Sequence, residues 1–483
     1  MIKNISRISN ILLFFILIML ITGETTYAQM QTKKTSPIET KTVVSRVVKI
    51  ASGKSYIEVD GKPFLYNSVQ SWYPPEQDYS LYVQKAAEAG YRCITFWLYW
   101  SHIEPEEEAY DWSELDKVIN LANKYDVRLD IVWAGTNFCD HLDPRFAPKW
   151  ILNRHEYHLK DSNGRCAIAR GFDQGNCCAV EPTNEKIFSK EKNVLIKMLE
   201  HLKQYDQNHR TIAIQIQNEP NINGYQGGKN NVLAYINALG RAVKESDYII
   251  MTRVNLAFKS MDSEIDALQY IDGHGPDTYD ERVALTRNLI RNDKNNTKFK
   301  YIAENSAWCN TTSHIVAALV NGGFYNIYRL DYDAIWNKPG LYDRNFKPWM
   351  VTKEVTQLNS ALNKIGSVIA SAPKQNMLEF NTEWGYPTIW YDEKKTLANR
   401  VIGFKCRNGS EPVGLVVEKD GNFYCIADNM AYFTFDSEPK ICETGRYNSD
   451  GNWQTDKEKS WTKLTDDIFQ ISYGVGECLR IRD

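Results

Sequence analysis

Apolar and polar positions change their period twice along this chain, and each change predicts a different kind of structure. Residues 1–28 open with Lys3 and Arg7, run apolar from Ile11 to Ile21 and end in small residues around Thr26 and Ala28. That is the three-part pattern of a secretory signal peptide. The apolar run is shorter than the roughly 20 residues that span a bilayer; an uncleaved anchor is the alternative. No cysteine directly follows the run and no later stretch is as apolar, so neither a lipid anchor nor an integral span is expected after signal removal. Residues 29–55 are polar without a persistent period and read as a leader, or as a leader plus a first strand at 42–50.

From about residue 60, short apolar runs alternate with segments of helical period. The runs predict strands at 64–69, 93–100, 128–133, 211–217, 249–254, 267–272, 299–303 and 324–328. Helices fit between them, at 78–89, 113–124, 190–205, 231–245, 280–291 and 313–320, with a closing helix at 348–365. Eight strands with helical crossovers predict an α/β fold, a (β/α)8 TIM barrel over 56–370. The rival is a doubly wound open sheet, but no Gly-rich dinucleotide turn follows an early strand. Beyond Pro373 the runs shorten (401–404, 412–417, 423–427, 468–473) and Gly, Asn and Asp turns separate them. This texture predicts a smaller antiparallel, sandwich-like β domain over 371–483, either packed on the barrel or binding a polymer.

Length and charge narrow the partners. A chain of 483 residues exceeds one ordinary core, which supports the two-domain division. A formal charge of −3 offers no basic face for nucleic acid. The 13 Trp and 28 Tyr suit flat apolar sugar faces, although a large core uses such residues too. Ten cysteines in an exported chain permit disulfides. Cys139, Cys166, Cys177 and Cys178 share one loop region where a local bridge fits. The Cys177–Cys178 pair reads as two separate bridges, a vicinal bridge, or one bridge and a free thiol. Their spacing, with few histidines nearby, makes a poor zinc signature, and no metal or cofactor is expected.

In such a barrel the chemistry sits at the carboxyl ends of the strands. Glu219 ends the run from Thr211 through Asn218 and precedes Pro220, at the tip of the fourth strand. Glu304 ends the run from Phe299 to Ala303, at the tip of the seventh. Two carboxyl groups flanking an anomeric carbon, one protonated and one ionised, can cleave a glycoside, and a gap of about 5–5.5 Å gives retention. The plainer reading makes each an ordinary strand-end carboxylate capping a helix. Tyr279, in the sixth-strand loop, could donate to Glu304, or could pack the loop. Asn218 could donate to the sugar 2-hydroxyl.

These residues carry a family resemblance. The chain resembles the clan of (β/α)8 glycoside hydrolases with acid/base on strand four and nucleophile on strand seven, and within it the family 35 and family 42 β-galactosidases. Gln84-Lys-Ala-Ala-Glu-Ala-Gly, Phe96-Trp-Leu-Tyr-Trp and His102-Ile-Glu-Pro-Glu-Glu-Glu-Ala-Tyr-Asp-Trp are similar to their second-strand region. The likeness continues through Pro148-Lys-Trp-Ile and Ile214-Gln-Ile-Gln-Asn-Glu-Pro, over roughly 60–365. It implies that Glu219 is the acid/base, that Glu304 is the nucleophile and that Glu104 helps shape the sugar-binding end, directly or from the layer of residues behind it. Three departures point to a divergent family. Gln217-Asn-Glu-Pro replaces the usual family 35 Glu-Asn-Glu-Tyr, Glu108-Ala-Tyr-Asp-Trp lacks the expected glycine, and the eighth strand lacks the family 35 motif.

For the substrate, Trp72, Tyr99, Trp133, Trp308 and Trp336 fall near predicted strand ends and are candidates for stacking on a sugar, or for packing. Asn67, His274 and Asp277 are candidates for hydroxyl contacts. The expectation is a retaining β-glycosidase acting on β-linked oligosaccharides or polysaccharides, with β-galactosides first. It would be exported to a periplasm, an outer surface or the medium. The alternatives are a β-glucosidase, β-mannosidase or endo-acting β-glycanase, or a non-catalytic carbohydrate-binding protein on the same scaffold.

Overall fold

The computed structural model describes residues 41–71, 79–136, 146–171, 175–222, 224–258, 263–291, 298–307, 310–332, 339–382, 390–407 and 412–482. The signal-peptide reading, Trp72, Cys139, Trp308 and Trp336 lie outside them. Residues 42–483 form one compact unit.

Eight parallel strands close into a barrel, each hydrogen-bonded to the next and the last to the first. They are β1 (Asn67–Ser71), β2 (Cys93–Tyr99), β3 (Arg128–Ala134), β4 (Thr211–Asn218), β5 (Met251–Leu256), β6 (Gly273–Pro276), β7 (Phe299–Ile302) and β8 (Phe324–Tyr328). Their residues are buried almost throughout, as parallel strands covered on both faces must be. Helices α1 (Tyr79–Glu88), α2 (Ser113–Tyr125), α3 (Glu185–Tyr205), α4 (Lys229–Glu245), α5 (Ser263–Asp266), α6 (Val283–Arg291), α7 (Thr311–Val320) and α8 (Met350–Lys364) cover the outside. Helix α3 shows the local logic. Asn184 caps it by accepting from the Lys186 and Ile187 N–H groups, and Ile187, Val194, Leu195, Met198, Leu199 and Leu202 make one apolar stripe toward the sheet.

Three strands differ from their predicted positions, the fifth by a two-residue shift from 249–254 to Met251–Leu256. The apolar pattern predicts the first at 64–69, but Lys62–Phe64 belongs to a three-stranded antiparallel sheet with Ser45–Lys49 and Ser55–Val59. That sheet closes the barrel floor, with Ser45 Oγ taking the Met251 N–H at 2.8 Å. The pattern predicts the sixth at 267–272, and it lies at Gly273–Pro276. Its Gly-His-Gly-Pro sequence has no strand propensity. Tertiary contact selects it, since a Cβ at Gly275 would sit 2.3 Å from the Tyr301 carbonyl oxygen.

After α8 the chain builds two antiparallel sheets. One has six strands and contains Met377–Phe380, Gly414–Lys419, Asn422–Ala427 and Leu479–Arg482. The other has five and contains Trp390–Leu397, Arg400–Arg407, Ala431–Phe435 and Ile468–Tyr473. Phe380, Val416, Cys425 and Ile481 from the first share one apolar cluster with Phe404, Phe433 and Ile471 from the second. The six-stranded sheet also joins the barrel core through Leu415, Val417, Tyr424 and Ile426. Thr312, at the start of α7, donates to the buried Asp428 at 2.8 Å. A disulfide joins Cys166 and Cys178 across the hairpin Ile168–Gly171 and Gly175–Cys178, while Cys93, Cys406, Cys425, Cys442 and Cys478 are buried free thiols.

Candidate active site

The tip of β4 sets the first half of the site. A register shift between Gln215 and Gln217 against β5 breaks the ladder just before Asn218 and Glu219. Gln217 then reaches sideways, donating from Nε2 to the Thr136 carbonyl at 2.6 Å. Glu219 has φ of +42°, and its N–H donates to the Asn255 carbonyl at 2.9 Å. A left-handed glutamate is strained by about 1–3 kcal/mol, a cost met mostly where a side chain must be aimed.

Glu304, at the end of β7, is 4% exposed. Three donors converge on its carboxyl group. Gln70 Nε2 reaches Oε1 at 2.8 Å, Asn255 Nδ2 reaches Oε1 at 3.3 Å, and the Tyr279 hydroxyl donates to Oε2. Burial and the charge of Glu219 push its pKa up to about 7, while Tyr279, Gln70 and the more distant Arg253 pull it back. The Gln70 amide is itself held, since Asn326 on β8 donates to its Oε1 at 3.4 Å.

A polar chain beneath the mouth links the two halves. Asn218 Oδ1 accepts from Gln215 Nε2 and from Asn255 Nδ2, both at 2.9 Å. With its oxygen so occupied, Asn218 has its amide N–H groups to offer a ligand. One nitrogen of Asn255 serves both Asn218 and Glu304, so Asn218 Oδ1 and Glu304 Oε1 are at most about 6 Å apart. Below them Arg253 donates to Gln215 and, at 2.7 Å, to Asp130 Oδ2, which also accepts from Tyr66. Both members of that ion pair are fully buried.

Of the other candidate residues, Asp277 joins the same mouth. It follows β6, is 3% exposed and pairs with Glu304 through a parallel bridge. Tyr279 is 41% exposed, with its ring edge-on to Tyr328 and its hydroxyl turned in to Glu304. Asn67 is not at the strand tip. It begins β1, at the floor end, and donates to Asn359 Oδ1. The three-residue displacement of β1 puts Gln70 in the place expected for Asn67. His274 faces the helix layer, with Nε2 3.0 Å from Asp266 Oδ1 of α5. Glu104 is buried and accepts from Trp100 Nε1 and the Glu108 N–H, each at 2.8 Å, which pins the loop after β2.

The aromatic candidates are packed. Tyr99 is 1% exposed and stacks on Phe146 at 5.5 Å. Trp133 is 1% exposed, lies against Trp100 and donates from Nε1 to the buried Glu191 of α3 at 2.9 Å. Glu191 also accepts from the Thr136 N–H at 3.1 Å and from Tyr235, and Gly135 lets the loop close on it, since a Cβ there would lie 2.3 Å from its Oε1. That carboxylate holds Thr136, and Thr136 holds Gln217 beside the Asn218–Glu219 pair.

Sequence reading missed Gln70 and Asn255. The available signal was a polar residue late in each strand's apolar run, and both lie just outside the strand limits that periodicity predicts. Among the described residues His158, Cys166 and Cys178 bring metal-ligating atoms together. The disulfide removes both sulfurs from that donor set.

The model of glycoside hydrolase family 42, described as beta-galactosidase, matches residues 71–259, less than half of the chain. No curated protein matches the sequence. Among solved structures the chain is similar to an exo-β-1,4-mannosidase from Opitutaceae bacterium strain TAV5, with 12% identity and a TM-score of 0.50 over 65% of this chain and 62% of that one. It therefore spans less than two thirds of that relative. A family 39 glycoside hydrolase from Bacteroides cellulosilyticus WH2 aligns at 13% identity and a TM-score of 0.47, over 90% of this chain and 82% of that one. A β-galactosidase from Marinomonas ef1 aligns at 13% and 0.44, over 60% and 58%. The fold is that of the (β/α)8 glycoside-hydrolase clan, related to the family 42 β-galactosidases.

Proposed function

We propose that the chain is a retaining β-glycoside hydrolase, with Glu304 as nucleophile, Glu219 as acid/base and β-galactosides as its first substrate class. The observation that carries this is the buried Glu304 carboxyl, gripped by Gln70, Asn255 and Tyr279 across the mouth from Glu219. Three donors favour the ionised form that a nucleophile needs, and they fix the direction of its lone pairs. In the first step Glu304 attacks the anomeric carbon while Glu219 gives its proton to the departing oxygen. In the second, Glu219 takes a proton from water, and that water releases the sugar from Glu304. Asn218, its oxygen engaged by Gln215 and Asn255, offers its N–H groups to the 2-hydroxyl, a contact that strengthens in the transition state.

Export is part of the same reading. The amino-terminal pattern and the Cys166–Cys178 bridge both suit an oxidising compartment, and among the described residues no helix is long and apolar enough to cross a membrane. The test is hydrolysis of a panel of nitrophenyl β-glycosides and natural oligosaccharides by wild type, Glu219→Ala and Glu304→Ala. Activity centred on β-galactosides and lost in both variants is the expected result. Glycan binding without hydrolysis by wild type would refute the reading.

A further inference from the structure

Asp277 enters the barrel mouth with little to serve it as an ion. Its backbone is fixed, the N–H donating to the Leu256 carbonyl at 2.8 Å, and the side chain is buried. Yet neither Oδ1 nor Oδ2 meets a donor, and the neighbouring Asn255 Oδ1 is a second buried acceptor without one. The Asn255 amide is already spent on Asn218 and Glu304. Glu219 is a hydrogen-bonding neighbour of Asp277, but two carboxylates have no hydrogen to share. In this corner acceptors outnumber donors, and one proton on Asp277 corrects the count by turning an acceptor into a donor.

The electrostatics run the same way. The ionisable groups facing Asp277 are Glu219 from the end of β4, Glu304 and Tyr301 from β7, and Tyr279 from its own loop. The buried guanidinium of Arg253, on the neighbouring β5, is bound to Asp130. Burial first, then the charges of Glu304 and Glu219, drive the Asp277 carboxyl well above the usual carboxylate range, against a smaller opposing pull from the Asn255 amide.

We propose that Asp277 stays protonated through the reaction and donates its O–H to Glu219 whenever Glu219 is a carboxylate, acting as a positioning residue for the acid/base. This rests on the assignment of Glu219 made above. The cycle balances without a new reactant. When Glu219 has given its proton to the leaving oxygen, the Asp277 O–H holds the new carboxylate in place to receive a proton from water. When Glu219 is protonated again that bond weakens, and Asp277 keeps its own proton throughout.

Three measurements decide it, on the full chain. Asp277→Ala should lower kcat about 10-fold or more on an activated aryl glycoside, whose second step limits turnover, with KM falling alongside it and kcat/KM little changed. Asp277→Asn, neutral and still a donor, should restore kcat to within about 3-fold and leave the alkaline limb of the kcat/KM profile in place. Infrared difference spectra at neutral pH should contain a protonated carboxylic acid band that Asp277→Asn abolishes. If Asp277 is ionised instead, the band is absent, and Asp277→Asn moves the alkaline limb down by about one unit or more as Glu219 loses a like-charged neighbour. A loss expressed in KM alone would make Asp277 a sugar contact and overturn the proposal. Should Asp277→Ala fail to fold, the band and the Asp277→Asn profile still separate the protonated from the ionised side chain. Undiminished activity in Glu219→Ala would refute the acid/base assignment itself, a failure distinct from all of these.

Discussion

Replacing Tyr279 by Phe removes one oxygen and keeps the ring that packs edge-on against Tyr328. The lost hydroxyl donates to Glu304 Oε2, so the ionised carboxyl loses a partner and the neutral one loses little. A hydrogen bond to a charged group contributes about 1.5–3 kcal/mol. The residue is 41% exposed, so water can take over part of the role and the low end applies. About 1.5 kcal/mol corresponds to roughly one pKa unit. The sign follows from Tyr279 holding the Glu304 pKa down: without it the pKa rises. As the proposed nucleophile, Glu304 must be ionised in the free protein, so the acid limb of kcat/KM should move up by about one unit, and activity on the acid side of that limb should fall about 10-fold. The assay is initial rates with an aryl β-glycoside from acid to neutral pH. An unmoved acid limb, with a rate loss equal at every pH, would refute the link from Tyr279 to Glu304.

Three further expectations follow from buried groups. Glu191→Ala strands the Trp133, Thr136 and Tyr235 donors, at about 1–3 kcal/mol for each buried group left unsatisfied; the urea midpoint should fall, and surviving activity should fall with it as Gln217 loses its anchor. Arg253→Met leaves Asp130 as a lone buried charge and should cost about 3–5 kcal/mol, whereas Arg253→Met with Asp130→Leu should recover most of it; equal losses in the single and double variants would contradict this. Asp428 is buried and its pKa is pushed up to about 8, so the folded state holds a proton that the unfolded state releases. Stability then declines as pH rises from the ordinary carboxylate range through about 8, and Asp428→Asn should raise Tm more at pH 8 than at pH 5.

The barrel is legible where local sequence and tertiary packing agree. Strands β2, β3, β4, β7 and β8 are short, mostly apolar runs, and the helices between them carry clear apolar stripes, so Glu219 and Glu304 can be assigned to strand ends. Periodicity misplaces the sixth strand because Gly273 and Gly275 are required by neighbouring backbone, a constraint with no local signature. It misplaces the first because the floor sheet uses Phe64, an apolar residue that looks like the strand itself. That slip hides Gln70, and stopping the fifth strand at Val254 hides Asn255, although both donate to Glu304. Trp133 and Tyr99 lie where the sequence suggests, but a residue at a strand end can turn either into the mouth or into the packing around it. Sequence alone does not separate the two.

Whether Glu304 attacks the sugar directly is tested most directly by the stereochemistry of the first product. Proton NMR of an aryl β-galactoside, recorded within the first turnovers and before mutarotation, should reveal the β-anomer of the free sugar as the initial product. An α-anomer appearing first would mean that water attacks the substrate in a single displacement, and Glu304 would not be the nucleophile.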